Sequence, residues 1–390
     1  MITDDRDFAA PDFNVYDFDA EEIAAGIAEW ARIESPSFDA AAVNRMMDLA
    51  ETTMRDLGAE TTRMPGQDGR GDALKAHFDW GDGPGIMVLG HLDTVHLVGT
   101  TDGALPVHRD ADRLYGPGVL DMKGGMYLAQ HALAKVIGAR GRLNMALTFL
   151  FIPDEEIGSP TSRTLIEAEA RKCRYVLVPE PGKSDNFVTG RHAFLRYKIR
   201  TYGRPAHAGR AVGPGRSAIR AMAQLIDEIE DFTDIDKETT YRVGTVHGGT
   251  FVNVVPAQCE AEVLCVAPSM AAFDEITNRM NALKSPDPEI RLEVEAGPVR
   301  PLFKFNEATQ DLYEIARRVA STVGLELGQG QYGGGSDGNF TGALGIPTLD
   351  GLGVCGDGIH TKQEYLEVSS LVPRARLLAG LYEALAERNE

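Results

Sequence analysis

His91 and Asp93 in Gly90-His-Leu-Asp-Thr94, Glu155 and Glu156 in Pro153-Asp-Glu-Glu-Ile-Gly158, and Glu180 in Val178-Pro-Glu-Pro181 each stand directly after an apolar run. Asp121 follows the turn-rich Tyr115-Gly-Pro-Gly118 and precedes Lys123-Gly124-Gly125, while His360 closes the glycine-rich Gly356-Asp-Gly-Ile-His360. Acidic groups placed after buried strands suffer desolvation and mutual repulsion unless a cation compensates them. Imidazole and carboxylate together suit zinc, and also manganese or cobalt. Such an ion can lower the pKa of a bound water and polarise a carbonyl, so the set points to hydrolysis. Neighbouring side chains diverge, so of Glu155 and Glu156 one can bind metal while the other faces the water.

The elements that must position these residues are legible as alternating apolar runs and helical patterns. Residues 85–89, 143–152, 175–178 and 346–349 read as buried strands, and 41–57, 125–136 and 162–172 as helices. Such alternation implies an α/β layer with a mostly parallel sheet flanked by helices. Ligands of an open α/β sheet gather beyond the carboxyl ends of its strands, where these residues fall. From 192 to 297 the texture changes to strand, helix, two strands, helix, strand, the order of a ferredoxin-like α+β unit. The division expected is a metal-binding catalytic domain of residues 1–191 and 298–390 with an inserted domain of 192–297. Helix 307–323, strand 346–349 and helix 369–387 return to the first texture.

A chain of 390 residues exceeds the roughly 250–300 at which one core stops growing, so two cores are expected. A formal net charge of -19 argues against nucleic acid and anionic membranes as partners. Asp4, Asp5, Asp7, Asp12, Asp17, Asp19, Glu21 and Glu22 read as a solvated acidic tail. No basic region precedes an apolar run at the start, and no stretch reaches about 20 apolar residues, so a cytoplasmic enzyme is expected. Cys173, Cys259, Cys265 and Cys355 lack paired spacing and suit reduced thiols.

The segments His91-Leu-Asp-Thr94, Gly116-Pro-Gly-Val-Leu-Asp-Met-Lys-Gly-Gly125, Asp154-Glu-Glu-Ile-Gly158, Glu180-Pro181, Ala206-His-Ala-Gly209 and His360 resemble one family in order along the chain. It is the co-catalytic zinc metallopeptidase and amidohydrolase family of glutamate carboxypeptidase, succinyl-diaminopimelate desuccinylase, acetylornithine deacetylase and aminoacylase. The resemblance implies that Asp121 bridges two divalent ions, that His91 and Glu180 complete one position, and that Glu156 and His360 complete the other. It makes Glu155 the general base acting with a metal-bound hydroxide, and Asp93 the carboxylate that orients the His91 imidazole. Glu180 rather than Asp looks most like the glutamate carboxypeptidase branch. His207 is implied to reach a partner subunit's site and stabilise the oxyanion, which makes the inserted domain a lid and dimerisation domain of a homodimer. Asn253, in Val252-Asn-Val-Val-Pro256, matches a substrate-contacting position.

Gly333-Gly-Gly-Ser-Asp-Gly-Asn339 lacks the Lys of a phosphate loop, and a substrate wall including Gly335 and Ser336 fits it better. Ser336 has no Gly-x-Ser-x-Gly surroundings, so serine catalysis is not expected. Relatives that cleave beside a free carboxylate carry an Arg about ten residues after the Asn253-type turn, whereas Glu262-Val-Leu-Cys-Val266 has none. Arg191, Arg204, Arg210 and Arg216 are the arginines that could replace it. Two substrate classes therefore stay open: a small or short-peptide amide such as an N-acyl amino acid, or a small non-peptide amine or aryl compound handled by an aminohydrolase (deaminase). A catalytically silent metal-binding module is disfavoured by Glu155 standing beside a full ligand set.

Overall fold

The computed structural model describes residues 16–183, 185–209 and 215–389. It falls into two compact units, one of the residues up to Gly190 with Lys304–Gln331 and those from Ser336 onward, the other of Arg191–Phe303 with Tyr332–Gly335. The second unit thus runs past residue 297, because its last strand extends to Arg300.

The first unit opens with helices α1 (Ala20–Arg32) and α2 (Ala40–Asp56). Asp19 caps α1 by accepting from the backbone N–H groups of Glu21 and Glu22, which lie in the positive first turn. The described part of the supposed acidic tail is therefore a helix start, and Tyr16 and Phe18 beside it are buried. Asp4, Asp5, Asp7 and Asp12 lie outside the described residues. The chain continues through β1 (Glu60–Met64), β2 (Ala73–Phe78), β3 (Gly85–His91), β4 (His108–Asp110), β5 (Arg113–Tyr115), α3 (Lys123–Arg140), β6 (Leu147–Ile152), α4 (Arg163–Ala170), β7 (Cys173–Val178) and β8 (Asn186–Arg191).

The second unit holds β9 (Ala193–Tyr202), α5 (Ala218–Glu230), β10 (Thr240–Gly248), β11 (Gln258–Ala267), α6 (Met270–Ala282) and β12 (Arg291–Arg300). Its four strands are antiparallel in the order β10-β11-β9-β12. Burial alternates along β9, and Leu195, Tyr197 and Ile199 pack with Met222, Leu225 and Ile229 of α5 and Ile276 and Met280 of α6. The other face carries ion pairs such as Arg200 with Glu260 and Glu295. That alternation is what a sheet covered on one side requires.

The chain returns to the first unit with α7 (Glu307–Thr322), β13 (Gly328–Tyr332), α8 (Gly338–Ala343), β14 (Thr348–Asp350), β15 (Gly356–Asp357), β16 (Tyr365–Glu367) and α9 (Leu371–Ala386). Eight strands form the large sheet in the order β1-β2-β6-β3-β7-β14-β8-β13. Strands β6, β3, β7 and β14 are mutually parallel, but β1, β2 and β8 join antiparallel. The sheet is mixed, and the expected mostly parallel pairing holds only at its centre. There both faces are covered. Ile86 and Val88 of β3 enter the core shared with α1, α3, α7 and α9, while Met87 and Leu89 enter the core shared with α4 and α8. A strand buried on both sides must be a continuous apolar run, which is why these strands are visible in the sequence.

A small antiparallel sheet, β15-β16-β5-β4, pairs Tyr365 with Tyr115 and Leu366 with Leu114. The four cysteines are unpaired. Among the described residues no helix is long and apolar enough to cross a membrane.

Candidate metal centre

Neighbouring parallel strands β6, β3 and β7 deliver their carboxyl ends to one edge. His91 is the last residue of β3, Glu155 and Glu156 form a short 3-10 turn just after β6, and Glu180 follows β7. Asp121 arrives from the turn before α3, and His360 from the loop between β15 and β16, with φ at 61°.

The geometry is centred on Asp121. Its Oδ1 lies 3.3 Å from His91 Nε2 and its Oδ2 3.4 Å from His360 Nε2. His360 Nε2 is 2.8 Å from Glu156 Oε2, and His91 Nε2 is 3.9 Å from both Glu155 Oε2 and Glu180 Oε1. Ligand atoms of His91, Asp121 and Glu156 all fall within 4.8 Å of one another. Two ligands each about 2.0–2.1 Å from a tetrahedral zinc ion stand roughly 3.4 Å apart, and the imidazole–Asp121 separations match that spacing. The donor set, two imidazoles among carboxylates, fits divalent ions on either side of Asp121.

Asp93 locks this arrangement from beneath. It is fully buried and takes the Ser37 hydroxyl at 2.6 Å, the backbone N–H of Glu155 at 3.1 Å and that of Glu156 at 3.3 Å. Its Oδ1 is 3.4 Å from His91 Nδ1, whose nearer partner is the Asp93 carbonyl at 3.0 Å. The Asp93 carboxylate thereby holds the turn that carries two acids, while its backbone carbonyl makes the closer contact with the His91 imidazole.

The electrostatics show the same demand for positive charge. Burial opposes a charged His91, yet its hydrogen bonds to Asp121 and Asp93 prevail and raise its pKa well above the ordinary value. Hydrogen bonds to Asp121 and Glu156 push His360 up to about 10. Burial pushes Glu156 up to about 8. Burial also opposes ionisation of Asp121, but His360 and His91 hold it well below the carboxylate range. Protons on the imidazoles are doing what a cation would do there.

The other sequence-derived residues are placed as follows. His207 is exposed, and its segment is bonded to that of Asn253, with the Ala208 N–H donating to the Asn253 carbonyl at 2.9 Å. Arg191 is buried and donates to the Gly334 carbonyl at 2.9 Å. Arg204 and Arg216 are ion-paired with Glu289, and Arg216 also with Asp287 at 3.2 Å. Arg210 lies outside the described residues. Gly335 is half-buried, and a Cβ there would come within 3.2 Å of Phe194 and Arg300. Ser336 is fully buried, with its hydroxyl donating to Asp350 and accepting from the Gly338 N–H. It braces the start of α8 from inside. The sequence reading missed Ser37 and Glu364, whose partners are remote along the chain.

Residues 87–384 match the model of Peptidase family M20/M25/M40. Carboxypeptidase G2 of Pseudomonas sp. (strain RS-16) is 28% identical over 358 residues, covering 90% of this chain and 86% of that protein. An M20 family metallo-carboxypeptidase from Sulfolobus solfataricus, Sso-CP2, shares the fold with a TM-score of 0.74 at 16% identity, over 94% of this chain and 99% of that one. YXEP of Bacillus subtilis, described as a dinuclear metal binding peptidase, does so with a TM-score of 0.66 at 16% identity, over 94% and 98%. With its match spanning most of the sequence, the chain belongs to Peptidase family M20/M25/M40 and is an enzyme of metallopeptidase and amidohydrolase type.

Proposed function

We propose that the protein hydrolyses the C–N bond of an amide in a peptide or N-acyl amino acid with two divalent ions, zinc or else manganese or cobalt. The observation that carries this is Asp121 set between two imidazoles at 3.3 and 3.4 Å with three further acids around them. Asp121 would bridge, His91 and Glu180 would hold one ion, and Glu156 and His360 the other. When bound, the ions lower the pKa of water toward neutrality and polarise the substrate carbonyl. Glu155 would accept a proton from the attacking water and give it to the leaving amine, a transfer worth about 10² to 10⁴ in rate. Its backbone N–H is held by Asp93, and its Oε2 stands 3.9 Å from His91 Nε2.

His207 supplies the oxyanion donor in a homodimer formed through the second unit, as the family resemblance implies. The Gly209 N–H donates to His207 Nδ1 at 3.1 Å, which leaves the proton on Nε2 of an exposed ring, the tautomer an oxyanion needs.

A second reading, an aminohydrolase acting on a small non-peptide or aryl substrate, is favoured by the arginines. The β11 stretch lacks one, and Arg204 and Arg216 are committed to Glu289. A substrate without a free carboxylate needs none of them. The test is to strip the protein with chelator, reload it with zinc, manganese or cobalt, and assay N-acyl amino acids, dipeptides and aryl amides for amine, carboxylate and ammonia. Amide cleavage that vanishes on chelation and returns with metal supports the first reading. Ammonia as the product selects the second, and full activity after chelation overturns both.

A further inference from the structure

Glu364 lies four residues beyond His360 and is almost wholly buried. The β16–β5 ladder places it: Tyr365 opposes Tyr115, and one step further the Gly116 N–H donates to the Glu364 carbonyl. From that register the side chain enters the turn that delivers Asp121. Its Oε1 accepts the backbone N–H groups of Leu120 at 2.9 Å and Asp121 at 3.1 Å. Its Oε2 accepts that of Gly118 at 3.0 Å and faces His96 Nε2 at 3.0 Å.

The tautomer of His96 follows from its other partner. Lys362 Nζ stands 3.3 Å from His96 Nδ1, and an ammonium can only donate, so Nδ1 accepts and Nε2 carries the proton given to Glu364. Both carboxylate oxygens are thus filled by two donors each. A buried anion satisfied so completely is costly to build and stable only in one geometry.

The turn it holds has no ladder of its own: Gly118 adopts φ of 71°, and the Leu120 and Asp121 N–H groups turn to Glu364. The loop that supplies His360 therefore also fixes the backbone that supplies Asp121. We infer that Glu364, oriented by His96 and Lys362, is a positioning residue that couples these two loops and sets the separation of Asp121 from His360 that two-ion binding requires. This rests on the ligand assignment proposed above for Asp121 and His360.

The test uses Glu364→Gln and His96→Leu in the full chain, with metal affinity read by competition against a chromophoric chelator alongside kcat and KM. An amide at position 364 presents an NH2 to one pair of donors, so its four-donor pattern fails without a change of shape. Glu364→Gln is expected to lose at least about tenfold in affinity for zinc and to lower kcat with KM nearly unchanged, while excess zinc restores part of kcat. His96→Leu, which removes a single donor and keeps the charge, is expected to lose less, and it carries the test if Glu364→Gln does not fold. Wild-type zinc affinity in both folded variants, or in His96→Leu alone where Glu364→Gln fails to fold, overturns the inference. Absence of divalent-metal binding by the unaltered chain would instead remove the ligand assignment beneath it.

Discussion

The Oε2 of Glu156 lies 2.8 Å from the Nε2 of His360, a separation that without an intervening cation requires a proton between them. Both groups are shifted in the direction of keeping that proton: His360 from 6.5 to about 10 through its bonds to Asp121 and Glu156, Glu156 from 4.5 to about 8 through burial. Raised values mean that the protonated fold is favoured. That contribution is complete below the ordinary values and is lost as pH rises through about 8 and then about 10. Metal occupies the same positions only after the protons leave, so its affinity should rise over the interval in which the metal-free fold weakens. Thermal melting between about pH 6 and about pH 9 with and without zinc checks this, with stabilisation by zinc expected to grow with pH. A zinc increment independent of pH would count against it.

Glu155→Gln should keep the ligand set and lose turnover by about 10² or more, because only the proton carrier is removed. Elemental analysis should find unchanged metal content. Glu156→Ala should lose metal from one position and bring His360 toward its ordinary pKa, since one of the two carboxylates holding its proton is gone. Equal metal content in both variants would exchange or cancel these roles.

Asp93→Asn keeps the shape but places an NH2 where either the Glu155 or the Glu156 N–H now donates. A loss of about 10- to 100-fold in zinc affinity or activity is expected, together with about 1–3 kcal/mol of stability for the buried donors left facing each other. Ser37→Ala removes one of the partners of Asp93 and should cost about 1 kcal/mol of stability by denaturant titration.

Arg204→Ala and Arg216→Ala should leave KM for N-acyl amino acids within about twofold, because both guanidiniums are already engaged by Glu289 in partly exposed pairs worth little. A tenfold rise in KM would show that one of them leaves its carboxylate to bind substrate. Phe149→Ala, at the middle of β6 and fully buried, should instead destabilise the first unit by about 3–5 kcal/mol.

Much of the site's scaffold was legible because the central strands are buried on both faces and read as unbroken apolar runs ending at His91, Ile152 and Val178. The margins were not. Strand β1, Glu60–Met64, is polar and half-exposed, and β2 interleaves Lys75 and His77 with apolar residues, so neither shows a continuous run. Helix α1 was hidden by the acids around Asp19, which are its cap and first turn. Glu364 gave no signal because most of its partners are backbone N–H groups more than 200 positions away, and backbone donors have no letter in the sequence. The bond of the Ser336 hydroxyl to Asp350 was hidden as well, since β14 brings that carboxylate beside it only in the fold.

The most direct measurement is anomalous diffraction at the zinc edge from crystals grown with zinc. Two peaks about 3.5–4 Å apart are expected, one against His91 and Glu180, the other against Glu156 and His360, with one oxygen of Asp121 on each. A single ion, or a pair that Asp121 does not touch, would contradict the bridged two-ion site.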